Sequence, residues 1–287
     1  MATAVQGLLR RRRVTRGQAA FWALGMAAAA LWIVPFLWMI STSLKAEGQI
    51  LRYPPEWLPE EVTLESYQRV LSFQVVRWFW NSLVVATTST LLTLLLNSAA
   101  GYAFARISFW GREVLFVAVL TTLMMPFEAL VIPLFVMFSM IGLANTYAAL
   151  ILPGLSSAFG VFLFRQFFLS LPRDLEDAGR IDGCSRWGVF WRIALPLAQP
   201  ALVALAILHF MANWNSLFWP LIVTSTDDVK TVPVGMIQFR PGFGVDQGWA
   251  FGLAMAAATI QAIPPLVVFL ILQRHFMKGI ATVGLKG

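Results

Sequence analysis

Long apolar runs alternate with short polar stretches along this chain. Six runs stand out, at about 19–44, 78–105, 114–140, 146–168, 195–223 and 250–276. Each reaches the ~20 residues that an α-helix needs to cross a hydrocarbon core. Several contain Pro or Gly, which membrane helices tolerate. The pattern predicts an all-α membrane protein, a bundle of six transmembrane helices. Residues 1–17 form a basic tail, with Arg10, Arg11, Arg12, Arg13 and Arg16, and 18–287 form a single membrane domain.

One polar stretch breaks the second half of the chain, LPRDLEDAGRIDGCSRWGVFWRIALPLAQP, from Leu171 onward. Pro172 suits a first helical turn, and Asp174, Glu176 and Asp177 follow where negative charge favours a helix start. Gly183 is a natural stop. Ser185 caps a second short helix over 186–192, and Pro196 suits the first turn of the next span. On composition alone the stretch is either a solvated loop or a docking surface for another protein.

Composition adds three constraints. Hydrophobic residues make up 59% of the chain and charged ones only 12%, too apolar a balance for a soluble domain. With the N-terminus inside, inner segments hold 15 Lys and Arg and outer segments six, the bias expected of a multi-pass protein with both termini cytoplasmic. The net charge of +7 therefore belongs to membrane topology, and no basic patch interleaved with aromatics points to nucleic acid. The first apolar run is long enough to span and lacks a clear cleavage site, so no removable signal peptide is expected. A single cysteine, Cys184, excludes an internal disulfide, and His209 and His275 make no metal pair. No G-x-x-x-x-G-K-[ST], G-x-S-x-G, H-E-x-x-H or C-x-x-C occurs. The chain is read as non-enzymatic, with no cofactor of its own.

Asp177-Ala178-Gly179, three residues, Gly183, nine residues and Ile193-Ala194-Leu195-Pro196 resembles the E-A-A motif of importer-type ABC permeases. Asp177 stands for Glu, and Gly179 for the second Ala, where it weakens a helix by about 1 kcal/mol. Segments YPPEWLP, GLANTYAALILP, NWNSLFWPLIV and TVPVG, with the Lys-Gly C-terminus, resemble the maltose and oligosaccharide branch of that family.

The resemblance implies a six-helix ABC importer permease with a cytoplasmic coupling helix in a loop over 171–196. It sits in a bacterial or archaeal cytoplasmic membrane, surrounded by lipid. It implies a heterodimer with a second permease, two copies of a cytosolic ATP-binding subunit that holds ATP and Mg, an extracytoplasmic solute-binding protein and a carbohydrate substrate. The ATPase-docking residues it implies are Glu176, Asp177, Ala178, Gly179, Arg180, Asp182 and Gly183. The competing function is a stand-alone ion-coupled secondary transporter, which would need an inverted repeat and broken helices.

Four residues are candidates for the substrate path. Glu128 is the only carboxylate inside a predicted span, between Pro126 and Pro133. A charge in mid-bilayer is costly, so it either lines the path or braces a proline-distorted helix as a protonated carboxyl. Asn213, Trp214 and Asn215 fall in the outer half of the fifth span, and the amides either line the path or hold helices together. His209, one turn earlier, reads as a packed or hydrogen-bonded histidine.

Overall fold

A computed structural model describes residues 16–239 and 250–283. Arg10, Arg11, Arg12, Arg13, Arg240 and the terminal Lys286-Gly287 lie outside them. So do the side chains of Arg274, His275 and Lys278. Among the described residues every regular element is a helix.

Three of the expected spans are continuous. They are α1 (Arg16–Ser43), α4 (Val75–Arg106) and α15 (Ala250–Val283). Between the first two, the proline-rich stretch has only the short α2 (Glu47–Ile50) and α3 (Glu65–Leu71). The other three are broken, which hydropathy alone did not reveal. The third splits into α5 (Arg112–Thr121, extended by a 3-10 turn to Met124) and α6 (Phe127–Met140), with axes 98° apart. The fourth splits into α7 (Tyr147–Ile151, continued to Gly154) and α8 (Ala158–Ser170), 46° apart. The polar stretch supplies α9 (Asp174–Ile181), α10 (Arg186–Val189) and α11 (Leu195–Leu197). The fifth span follows as α12 (Gln199–Trp214), 74° from the segment before it. Then come α13 (Phe218–Val223) and α14 (Val232–Met236) before α15. Six spans result when each bent pair counts as one.

Each break has a local cause. Pro126 lacks an N–H and sits in extended conformation before α6. At the break of the fourth span Ser157 caps α8 by accepting from Gly160 N at 3.2 Å, as Thr146 caps the start of that span by accepting from Ala149 N at 3.3 Å. Pro196 does not open the fifth span as expected. It sits in α11 after a π-helical turn at Phe190–Ala194, and the chain turns at Ala198, with Pro200 in the first turn of α12.

α4 is the central strut. It packs most extensively against α8 and α12. Its buried face is unusually polar, with Asn81, Ser82, Ser89, Thr93, Asn97 and Ser98. At one end Asn81 Nδ2 donates to the Asp228 and Lys230 carbonyls at 3.0 and 2.9 Å, and Ser82 Oγ accepts from Val232 N at 2.8 Å. These bonds tie the α13–α14 connection to α4. Three apolar clusters flank the strut, one around Trp78, Trp214 and Phe239, one around Phe164, Phe168 and Phe190, and one around Val85, Phe138 and Trp219. The small-residue patch at 27–30 is exposed on α1, which buries only its end near Ser43.

Gly101 sets the spacing of α4 and α8. A Cβ there would lie 2.5 Å from Phe164 Cβ and 2.9 Å from Arg165 N, so relief requires backbone movement. Gly101→Ala should therefore destabilise the protein by about 1–3 kcal/mol. Gly25→Ala, with no atom within 4 Å, should leave the melting temperature in detergent unchanged. Equal melting temperatures for both variants would contradict this packing.

Candidate functional site: the coupling loop and the helix breaks

The helix α9 ends as the sequence requires. Gly183 has φ +84°, the left-handed region that favours glycine. Gly183 N donates to Arg180 O at 3.0 Å and Cys184 N to Gly179 O at 2.9 Å. That pair of bonds is the Schellman closure. Ser185 then caps α10 by accepting from Gly188 N at 3.1 Å.

The seven residues expected at a docking face separate into two sets. Asp177, Ala178, Arg180, Asp182 and Gly183 are exposed. Glu176 and Gly179 are buried and face the protein. Gly179 faces the π turn, where a Cβ would lie 2.3 Å from Ile193 Cδ1, the far end of a flexible side chain that a rotamer change moves aside.

Glu176 requires a correction. Its carboxylate does not belong to the exposed face. Oε1 lies 2.8 Å from Arg106 Nε, and the two side chains are 7% and 5% exposed. The contact is an ion pair by distance, but its angle makes no hydrogen bond, so neither atom has a hydrogen-bonding partner. Tyr102 OH donates to Glu176 Oε2 at 3.2 Å, and Arg106 also donates to Leu171 O at 2.6 Å. A second charged contact lies nearby, where Arg165 pairs with Glu113 at 3.1 Å and stacks on the Phe116 ring.

Sequence reasoning missed Ile181. Asp174, Asp177, Ala178 and Ile181 follow i, i+3, i+4, i+7 spacing and form one outward stripe of α9. Ile181 is 86% exposed. An apolar residue four places after Asp177 was the available signal.

The path candidates also separate. Glu128 does not lie within a continuous third span. It occupies the first turn of α6, directly after the 98° break, and is exposed. Its side chain makes no hydrogen bond or ion pair with other described residues, so the bracing role finds no partner among them. Trp214 is fully buried, stacks on Phe210, and donates from Nε1 to Gln261 O at 3.0 Å. It anchors α12 to α15 and is not a path-lining residue. Asn213 is half-buried: its Nδ2 donates to His209 O and lies 2.9 Å from His209 Nδ1. His209 Nε2 lies 3.2 Å from Gly154 O and 3.3 Å from Thr93 Oγ1, so it is the hydrogen-bonded histidine expected.

Asn213 lines a cavity of about 170 Å³ together with Phe127, Gly154, Ser216 and Trp219. Phe127 and Gly154 flank the breaks in the third and fourth spans and Ser216 follows the end of α12, so two breaks and a helix end converge here. Asn215 is exposed and lines a separate space of about 350 Å³ with Met236, Met255 and Gln261. The two amides therefore do not share one face.

A polytopic α-helical permease is the class these features define, with a short amphipathic helix at one end and broken spans inside. The family model of binding-protein-dependent transport system inner membrane components matches residues 97–282. The chain belongs to that family. It is 34% identical over 266 residues to the arabinooligosaccharide transport permease of Bacillus subtilis, covering 91% of this chain and 93% of that one. It is 36% identical over 258 residues to the lactose transport permease of Rhizobium radiobacter, covering 88% and 90%. It is 35% identical over 264 residues to the trehalose/maltose permease of Thermococcus litoralis, covering 90% and 93%. A crystal structure of a bacterial ABC transporter that imports alginate shares the fold, with TM-score 0.80, 22% identity, and coverage of 91% of this chain and 98% of that one. The protein is thus an inner-membrane importer permease, not itself an enzyme, that works with a solute-binding protein and ATP-binding-cassette machinery. Broken helices, expected of a secondary transporter, are here a feature of an importer permease.

Removing one member of the Arg106–Glu176 pair leaves a buried charge alone. Arg106→Met or Glu176→Leu should each cost about 3–5 kcal/mol, and the double variant should cost much less than their sum. Thermal unfolding of the purified assembly measures the cycle. Strict additivity would show that the two groups are not coupled.

Proposed function

We propose that this chain is one of two permeases in a carbohydrate importer of the inner membrane, with both termini and the 171–196 loop cytoplasmic. It pairs with a second, homologous permease and with two copies of an ATP-binding subunit that holds ATP and Mg. A solute-binding protein delivers the sugar on the opposite side. The named solutes of its relatives, arabinooligosaccharides, lactose and trehalose/maltose, support a sugar or oligosaccharide. The observation that carries the docking role is the outward stripe of α9, where Ile181 stands 86% exposed beside Asp177 and Ala178. One exposed isoleucine is ordinary on a surface, and what supports the docking reading is its place on the outward face of α9 inside the Asp177–Gly183 motif.

In this reading ATP-driven closure of the ATP-binding subunits displaces α9. The buried Arg106–Glu176 pair carries that displacement into α4. Thr93, on the same helix, donates to Gly154 O at the break of the fourth span and meets His209 of α12. The helix segments there rearrange between inward- and outward-facing states. Glu128 and Asn213 border the convergence of the breaks and act as hydrogen-bonding groups of the path, and Asn215 serves a neighbouring space.

Two experiments test this. Ile181→Glu and Gly183→Asp should leave the permease in the membrane but release the ATP-binding subunit or uncouple hydrolysis from uptake. Co-purification and uptake in vesicles are the readouts, and normal uptake by both variants would sink the docking role.

For the path, Glu128→Gln should keep substantial ATP-driven uptake and Glu128→Leu should lose most of it, because the amide keeps the hydrogen-bonding shape. Loss in Glu128→Gln together with dependence on a proton gradient would favour ion-coupled transport.

A further inference from the structure

At the Arg106 end of α4, two cavities adjoin and share Tyr102, Ile107 and Arg186. One, of about 130 Å³, is polar and is also lined by Arg106, Ser108 and Arg180. The other, of about 220 Å³, is apolar and continues past Ala103, Ala99, Trp187 and Phe190. Their order along α4 is informative. Ala99 and Ala103 lie towards the middle of the helix, and Arg106 and Ser108 at its end. Seven residues of helix separate Ala99 from Arg106, about 10 Å. The space is thus basic at the membrane surface and apolar below it.

The charges in the basic part do not cancel. Arg106 is paired with Glu176. Among the described residues the Arg180 side chain pairs with Asp177 alone, at 4.0 Å, with both side chains about half exposed, a contact of little energy. Arg186 is exposed and makes no hydrogen bond or ion pair among the described residues. Two guanidinium groups therefore face the pocket with little or no compensation. Guanidinium pairs well with phosphate, which it meets through two parallel hydrogen bonds. Trp187 borders the apolar part and is 68% exposed, and such rings settle at the headgroup level of a bilayer.

We propose that this double cavity binds one anionic phospholipid, with its phosphate between Arg180 and Arg186 and the start of an acyl chain along Ala99, Ala103 and Phe190. A soluble anion would use the polar cavity alone and would leave the apolar one unexplained. An acidic protein segment would likewise gain nothing from a slot that runs inward along α4.

The test uses the transporter assembled with its partner subunits, reconstituted in bilayers of phosphatidylcholine with or without phosphatidylglycerol. Native mass spectrometry counts the lipid retained after detergent washing. The native assembly should retain phosphatidylglycerol in preference to phosphatidylcholine. One arginine near an anionic lipid surface corresponds to about a fivefold change in binding, so Arg186→Gln should weaken retention by about that factor and Arg186→Lys, which keeps the charge but not the paired hydrogen bonds, should restore only part of it. Ala103→Trp, which fills the apolar part, should weaken retention with the arginines intact. Retention unaffected by Arg186→Gln would overturn the proposal. So would retention unaffected by Ala103→Trp but competed away by inorganic phosphate, which would make this a free-anion site. Release of the ATP-binding subunit by Arg186→Gln at constant lipid would also overturn it, because the pocket would then belong to a protein interface.

Discussion

The buried pair between Arg106 and Glu176 is the constraint on which the working end of this permease depends. Two charges withdrawn from water recover their desolvation cost only with good geometry and extra hydrogen bonds, so such a pair is weak evidence of stability in itself. Its effect is positional. Arg106 ends α4, a strut of 32 residues, and Glu176 lies in a helix of eight residues that could not hold an orientation alone. Tyr102 and the Leu171 carbonyl fix the two ends of the pair, and Gly179 rests against the π turn beside it. The short helix thus presents a fixed face outward because its inner face is chemically pinned.

The pinned helix also accounts for what could be read in advance. The spacing from Asp177 to Gly183 to Pro196, the glycine stop and the Ser185 cap are local chemistry, and local chemistry is legible in a sequence. The left-handed φ at Gly183 follows from the only residue type that adopts it without strain. The inward turn of Glu176 was not legible. Within the motif a carboxylate reads like its neighbour Asp177, and its partner lies 70 residues upstream on another helix. Ile181 was hidden for the opposite reason, since one isoleucine beside apolar spans attracts no notice until its exposure is known.

The membrane spans show the same division. Their number and approximate limits follow from hydropathy, because crossing a bilayer demands length and apolarity. The breaks do not, because an averaged window hides a capping Ser157 among apolar neighbours. Pro126 was visible, yet prolines occur within intact helices of this chain too, at Pro35, Pro133, Pro264 and Pro265. What distinguishes Pro126 is its extended conformation before α6, a property of the fold. Glu128 and Asn213 were singled out for polarity in an apolar setting, a sound signal. Trp214 was included by adjacency, and a side chain one residue further along a helix points about 100° away.

The 74° turn between α11 and α12 has a mechanical meaning. The segment that follows the coupling loop meets the fifth span nearly at a right angle, as a crank meets its shaft. A thrust along the first arm has little component along the second and so does not slide α12 through the bilayer as a piston. It acts sideways, and sideways force on one end of a helix pivots it. His209 and Asn213 lie near the far end of that shaft, where a small rotation at the surface becomes the largest sweep.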